Sequence, residues 1–299
     1  MQRAALFVNI HKENASTVAE EIRIELEKQG IDVTVFALEG HSIYTSTGKF
    51  DIAFTLGGDG TVLYTARMLA ADETPILPVH LGTLGFLAGV QRSQWPSVYR
   101  QWQNGTARIS LRCMLEVAVE RGGQAVYTST CMNDAVISSQ GIAKLIRLRA
   151  EAETAPGELA DLGHYRSDGL IIATPTGSTA YSMAAGGPIL DPEMEAVIIS
   201  PVCPFTLSNR PLVLPSRQTL IVTVEMEQRS GVLLTIDGQN TFQLEPGDRI
   251  TIRHSPHYAR LVTAGQLAYY SALKEKLAWG GEGNGASIRG IASRGGDSA

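Results

Sequence analysis

One acidic side chain, Asp59, stands among three glycines in the run Phe54-Thr55-Leu56-Gly57-Gly58-Asp59-Gly60-Thr61. An apolar stretch over residues 51–56 leads into it, and a helical pattern opens at Thr61. Glycine has no Cβ, so such a turn admits positive φ and lets a ligand come close to the backbone. The first N–H groups of a helix lack intrahelical partners and attract an anion such as phosphate. A carboxylate among those donors repels a phosphate, so it needs another task. Accepting the proton of an attacking hydroxyl is one that fits. A tight turn with Asp59 as helix N-cap accounts for the same four residues. The run has neither the lysine of a Walker loop nor the spacing of a dehydrogenase fingerprint.

Cys131-Met132-Asn133-Asp134 sets an amide beside a carboxylate within a β-rich stretch. The Asn amide can pair with a base edge, and the Asp can accept from ribose hydroxyls. A plain turn between two strands explains the pair as well. Tyr165-Arg166-Ser167-Asp168-Gly169-Leu170 precedes Thr174-Pro175-Thr176-Gly177-Ser178-Thr179-Ala180-Tyr181-Ser182. A Pro/Gly turn crowded with hydroxyls and followed by a helix makes a cradle for a polar ligand. Tyr181 adds a stacking face or a hydroxyl. Asp237-Gly238-Gln239 reads locally as a type I′ hairpin turn. His254 and His257 flank Pro256 without a carboxylate partner and read as a surface loop. No catalytic Ser-His-Asp order and no zinc-type spacing occurs.

These residues need elements to hold them. Residues 4–10 form a buried strand pattern, and Asn14 or Thr17 can cap the helix that follows, with Thr17 and Glu20 spaced as a capping box. Val18, Ile22 and Leu26 share one helical face, Gly30 ends the helix, and Ile31, Val33 and Val35 alternate along a second strand. The strand before Gly57, a helix at 61–70, a strand at 75–79 and a helix at about 93–104 complete an α/β rhythm. Ligands of such sheets bind beyond the carboxyl ends of the strands, where Gly57-Gly58-Asp59-Gly60 and Gly82-Thr83-Leu84-Gly85 lie. From Arg108 the texture changes to short apolar runs split by turn residues such as Gly122-Gly123 and Asp237-Gly238. A helical insertion is expected near 178–185.

The expected fold is therefore an α/β N-terminal domain with a mostly parallel sheet over 1–105 and a C-terminal β-rich, β-sandwich-like domain over 106–265. A helix over 266–279 is expected to return to the N-terminal domain, and the Gly/Ser-rich stretch 280–299 to be a flexible tail.

Of 299 residues, 44% are hydrophobic and 18% charged, an ordinary globular balance. A net charge of −5 leaves no basic footprint for nucleic acid. No apolar run reaches membrane-spanning length. The three cysteines, Cys113, Cys131 and Cys203, have no CxxC spacing and cannot all pair. Without a signal peptide pattern, they point to a reducing cytoplasm.

Taken together, Gly57-Gly58-Asp59-Gly60-Thr61, His80-Leu81-Gly82-Thr83-Leu84-Gly85-Phe86-Leu87, Asn133-Asp134, Ser167-Asp168-Gly169 and the Thr174-to-Ser182 run resemble the NAD kinase family. Pro204-Phe205-Thr206-Leu207-Ser208-Asn209-Arg210-Pro211-Leu212-Val213-Leu214-Pro215 and Asp237-Gly238 continue the match in order. The resemblance implies transfer of a phosphoryl group from ATP, or from polyphosphate, to the 2′-hydroxyl of the adenosine ribose of NAD. It implies that Asp59 accepts the proton while the backbone of Gly57, Gly58 and Gly60 faces the phosphates. It matches Asn133 and Asp134 to the pair that holds the adenosine half, and Asp168 to a base- or amide-binding acid. Thr179, Ala180, Tyr181, Ser182, Met183 and Ala184 match the cleft wall; Lys144 and Arg166 match dinucleotide contacts; Cys203 and Gln239 match pocket-lining positions. A divalent ion, Mg²⁺, is implied as a companion of the donor phosphates rather than of a protein cage. A homodimer or homotetramer is implied too. The sequence departs from the family in having Asp134 where Glu is common and Phe205 where His is frequent. Neither departure touches Asp59.

Two other readings share parts of this pattern. A lipid or sugar kinase can carry the same glycine–aspartate loop, although no basic amphipathic stretch suggests a lipid surface. A non-catalytic dinucleotide-binding regulator requires Asp59 to be dispensable.

Overall fold

The computed structural model describes residues 2–39, 48–82, 85–87, 89–141, 144–206, 208–263, 265 and 267–277. Thr83, Leu84 and Leu207 of the quoted motifs and the expected tail from 280 lie outside them.

The first layer comprises β1 (Arg3–Asn9), α1 (Ala15–Lys28), β2 (Asp32–Leu38), β3 (Ile52–Gly57), α2 (Asp59–Leu69), β4 (Pro75–His80), β5 (Val90–Gln91) and α3 (Trp95–Gln103). The main strands run parallel in the order β4-β3-β1-β2. Alternate residues of β1 face opposite cores, as a strand's two-residue period requires. Ala4, Leu6 and Val8 pack under α1 and α3, while Ala5 and Phe7 pack under α2. Val18, Ile22 and Leu26 are the buried stripe of α1, as their spacing predicts.

Two local expectations are corrected. The N-cap of α1 is Asn14, held at φ 63 with no side-chain cap, and Thr17 lies inside the helix, so the Thr17–Glu20 capping box is not used. Asn tolerates the left-handed region, which lets the chain turn into the helix earlier. In β2, Val35 is 47% exposed, whereas Phe36 and Leu38 are buried. β2 is the edge of the sheet, and its strongest packing is Phe36 stacked on Phe7 at 4.7 Å, on the α2 face.

The second part comprises β6 (Arg108–Arg121), β7 (Gln124–Cys131), β8 (Asp134–Ser139), β9 (Ile146–Ala155), β10 (Glu158–Ser167) and β11 (Gly169–Ala173). A 3-10 turn (Thr176–Thr179) and the short α4 (Tyr181–Ala184) follow, then β12 (Ala196–Val202), β13 (Leu212–Pro215), β14 (Thr219–Val224), β15 (Val232–Ile236), β16 (Asn240–Leu244), β17 (Arg249–Thr263) and α5 (Leu267–Leu277). One antiparallel sheet has the order β13-β12-β11-β8-β15-β16. It packs on β6, β9, β14 and β17 through Leu115, Ile137, Leu148, Leu170, Leu234 and Ile252, which gives the sandwich core. The Gly122-Gly123 turn, closed by the Arg121–Gln124 pair, holds both residues at positive φ, as a two-residue hairpin of type I′ requires; Asp237 and Gly238 are also at positive φ, within the three-residue link from Ile236 to its partner Asn240.

The two parts share a strand. The end of β17 lies parallel to β4, pairing Arg260 with Pro75 and Leu261 with Ile76. Among the described residues this makes one 11-stranded sheet running from the parallel layer into the sandwich. Met114 and Met132 from the sandwich side, and Ala259 and Leu261 from β17, enter the same core as α2.

Candidate active site

Asp59 is the first residue of α2, directly beyond the end of β3. Gly58, not Asp59, is the N-cap, so the capping role is taken away from the carboxylate. Its oxygens turn instead to a second glycine segment. Oδ2 accepts from the Phe86 N–H at 3.0 Å and Oδ1 from the Leu87 N–H at 3.1 Å. That approach depends on Gly85, where an added Cβ would overlap Oδ1 and stand 2.7 Å from Cγ. These two backbone donors orient the carboxylate, each oxygen holding one of them. Both glycine runs lie at the carboxyl ends of neighbouring parallel strands, with Leu81 N–H donating to Gly57 O.

Across from this loop, Asn133 and Asp134 form the turn into β8. The turn is shaped by Asp237, whose side chain is fully buried and held in the left-handed region at φ 50. Its Oδ1 accepts from the N–H groups of Asn133 at 2.7 Å and of Met132 and Asp134 at 3.2 Å. Its Oδ2 takes Arg67 Nη1 of α2 at 2.8 Å. Arg67 Nη2 also donates to Gln239 Oε1 at 2.5 Å, and Gln239 Nε2 reaches back to Gly60 O at 2.8 Å. A closed circuit therefore joins the helix of Asp59 to the Asn133–Asp134 turn. Burial, and then the charge of Asp237, push the Asp134 carboxyl up to about 7. Asn133 Oδ1 is buried without a hydrogen-bond partner, an acceptor left for a ligand.

The hydroxyl-rich run packs against the same turn. Thr174 N–H donates to Asn133 O at 2.8 Å and its Oγ1 to Met132 O at 2.6 Å. Gly177 passes so close that a Cβ there would overlap the Asn133 carbonyl. Thr176 Oγ1 is buried without a partner. Thr179 is buried with Oγ1 on Thr176 O, Ala180 is half-buried, and Tyr181 is exposed on α4. Met183 is half-buried and Ala184 exposed, whereas Ser182 is fully buried and its hydroxyl pairs with Ser200. Of this set, then, Ser182 faces the protein interior.

A second group gathers at the other end of β11. Asp168 is half-buried and clamps strands through its backbone, from N–H to Val202 O and from Ser139 N–H to its carbonyl. Arg166 is exposed, with its guanidinium 4.9 Å above the Phe205 ring. Cys203 is exposed at φ 45, and Lys144 is exposed beyond β8. The register pairs Gly169 with Ser138 and Ala173 with Asp134. The two groups therefore stand about four residues, or ~13 Å, apart along β11.

A cavity of about 1500 Å³ opens on the other side of the Asp59 loop, bordered by His11, Lys12, Gly58, Gly60, Tyr64 and Gln239. The ammonium of Lys12 makes no ion pair there among the described residues. No group of three or more His, Cys, Asp or Glu side chains converges as a metal cage among the described residues. None of their helices is long and apolar enough to cross a membrane. His254, read from sequence as part of a surface loop, has Nε2 buried without a partner where β17 bulges against β6.

Sequence reasoning passed over Arg67, the amides of Phe86 and Leu87, and the carboxylate of Asp237. Arg67 did leave a signal. It is the only charged residue of α2 after Asp59, and it lies seven residues past Gly60, on the same helical face.

Residues 37–107 match the family model for the ATP-NAD kinase N-terminal domain, and residues 132–264 that for the ATP-NAD kinase C-terminal domain. The NAD kinase of Treponema denticola is 38% identical over 94% of this chain and 98% of its own length. That of Geobacter sulfurreducens is 36% identical over 94% and 99%. Among solved structures, yeast NADH kinase complexed with NADH superposes with a TM-score of 0.82 at 24% identity, covering 97% of this chain and 89% of that one. An NAD kinase from Archaeoglobus fulgidus in complex with ATP superposes at 0.70 and 21% identity, covering 92% and 98%. These two share the fold. With both of its parts matched and full-length relatives above a third identical, the chain belongs to the NAD kinase family.

Proposed function

We propose that this protein is an NAD kinase in which Asp59 is the general base. The observation that carries the assignment of Asp59 is its carboxylate, oriented by the Phe86 and Leu87 amides at the mouth of a glycine turn tied to Asn133 and Asp134. In this reading the adenosine ribose of NAD rests on Asn133 and Asp134, with the unpartnered Asn133 Oδ1 as an acceptor. Asp59 takes the proton of the 2′-hydroxyl as that oxygen bonds to the γ-phosphorus of ATP. The bond from that phosphorus to the bridging oxygen breaks, and ADP leaves. Positioning and charge neutralisation supply most of the acceleration in such transfers.

The dinucleotide runs along β11, and Arg166, Asp168, Lys144 and Cys203 meet its far half. A spacing of ~13 Å between the two groups suits an extended dinucleotide better than a single nucleoside. The donor approaches through the cavity beside Gly58 and Gly60, with Lys12 on its phosphates. A divalent ion, Mg²⁺, would be carried by the donor phosphates rather than by a protein cage and would supply charge neutralisation there. We further propose a cytoplasmic homodimer or homotetramer.

The test is incubation with ATP, Mg²⁺ and NAD, then with other nucleotides, polyphosphate and NADH. NADP formation is expected. Turnover of a lipid or sugar but not of NAD would refute the assignment. A variant Asp59→Asn that turns over normally would remove the base role.

A further inference from the structure

Resting on the NAD kinase reading, we propose that Arg67 is a positioning residue that locks the helix of Asp59 to the turn presenting Asn133 and Asp134. Its guanidinium never meets the reacting atoms. It sets the distance and tilt between the base and the acceptor hydroxyl.

The geometry supports a clamp rather than a simple ion pair. The two Nη groups of Arg67 go to two residues of one hairpin, Asp237 and Gln239. A planar fork answered by two acceptors fixes direction as well as distance, which a point charge does not. Gln239 then returns to Gly60 O in the first turn of α2. The helix is gripped at Gly60 and at Arg67, which lie about 10 Å apart along its axis. Two attachment points fix its tilt; one would leave it free to pivot. On the other side, Asp237 gathers three consecutive N–H groups of residues 132–134 and receives Arg67 with its side chain wholly buried. Its own N–H also donates to Asp134 O, at 2.9 Å.

A buried ion pair kept only for stability can usually be replaced by apolar residues at little cost. The clamp makes a different demand. Without Arg67, Asp237 still holds the three N–H groups, so the turn that binds the ribose keeps its shape. The helix bearing Asp59 loses one of its two polar ties to the hairpin, the one farther from Asp59, while Gln239 stays on Gly60 O. The expected signature is a loss of turnover without a matching loss of NAD affinity.

The experiment uses the full chain and the variants Arg67→Met, Arg67→Lys and Gln239→Leu. Thermal melts check that each is folded, calorimetry gives the dissociation constant for NAD, and steady-state kinetics give kcat at saturating ATP. Arg67→Met should lower kcat on the order of 10²-fold while the NAD constant stays within about threefold. Arg67→Lys, which restores the charge but one arm only, should recover part of the loss, and Gln239→Leu should cost roughly 10-fold in kcat. Gln239 is half-buried and uncharged, so Gln239→Leu leaves no charge unpaired and carries the test alone if Arg67→Met does not fold. A kcat within about threefold of wild type in the folded variants, or NAD affinity falling in step with kcat, overturns the proposal. If the wild-type chain makes no NADP, the functional reading fails first, and the two failures are distinct.

Discussion

Replacing Gly85 by alanine adds one methyl group at the back of the proposed base. Built on the backbone, the new Cβ overlaps Asp59 Oδ1 and stands 2.7 Å from Cγ and 2.9 Å from Oδ2. Relaxed carbon contacts are about 3.5 Å, so the carboxyl carbon must retreat by roughly 0.8 Å or the glycine segment must move as far. Either shift stretches the bonds from Phe86 and Leu87, now 3.0 and 3.1 Å, beyond useful hydrogen-bond length. A misplacement of ~1 Å costs on the order of 10²-fold in rate, about 2.7 kcal/mol in the barrier. The assay is the initial rate of NADP formation at saturating ATP, Mg²⁺ and NAD, with thermal melts as the control for folding. Asp59→Asn sets the scale, since loss of general base catalysis is worth about 10²–10⁴-fold. The three atoms nearest the methyl group all belong to the Asp59 carboxyl, so adding Gly85→Ala to Asp59→Asn should cost little more. Near-normal turnover in folded Gly85→Ala, or fully additive losses in the double variant, would refute this account.

Other outcomes follow from the same geometry. The Asp134 carboxyl is pushed up to about 7 by burial and by Asp237, so the fold favours its neutral form. That preference is fully present below the unfolded value of about 3.9 and is lost as pH rises through 7, at up to about 1.4 kcal/mol per pH unit. In urea unfolding, Asp134→Asn should therefore gain on wild type between those pH values and hold a constant lead above them. Lys12→Ala should raise KM for ATP ~10-fold and leave that for NAD unchanged, as loss of one charge-assisted phosphate contact predicts; equal effects on both substrates would place the donor elsewhere. Burial pushes the Cys113 thiol up to about 12 and raises Cys131 as well, whereas Cys203 is exposed. A thiol reagent at neutral pH should titrate one cysteine in the native protein and three after denaturation.

Much of the fold was legible because it is written locally. The four-residue spacing of Val18, Ile22 and Leu26 specifies α1, and hairpin dipeptides such as Gly122-Gly123 separate the strands of the sandwich. The edge strand β2 was misread in detail because alternation does not say which face finds a partner. The pairing of β17 with β4 left no sequence signal, since Arg260 and Leu261 look like any other strand residues. The site follows the same rule. Asp59 and Asn133-Asp134 stand out by their own residue types. Asp237 did not, because a type I′ turn was a sufficient local reason for it; its carboxylate acts on residues about a hundred positions away in the chain. Gly85 was visible as a turn glycine, but its purpose is the room it leaves for a carboxylate 26 residues earlier.

The shared strand also bears on how the chain is born. β17 closes the pairing of β6 from Arg108 to Glu120 and then completes the flank of β4. During synthesis all of these earlier segments leave the ribosome before their common partner exists. Contacts of such sequence separation form late and slowly. Until residues 249–263 emerge, the nascent chain presents open backbone edges on β4, β6 and β14 together, the kind of surface that templates unwanted association. A chain stopped short of β17 would thus leave two unfinished halves, not one finished domain and one broken one.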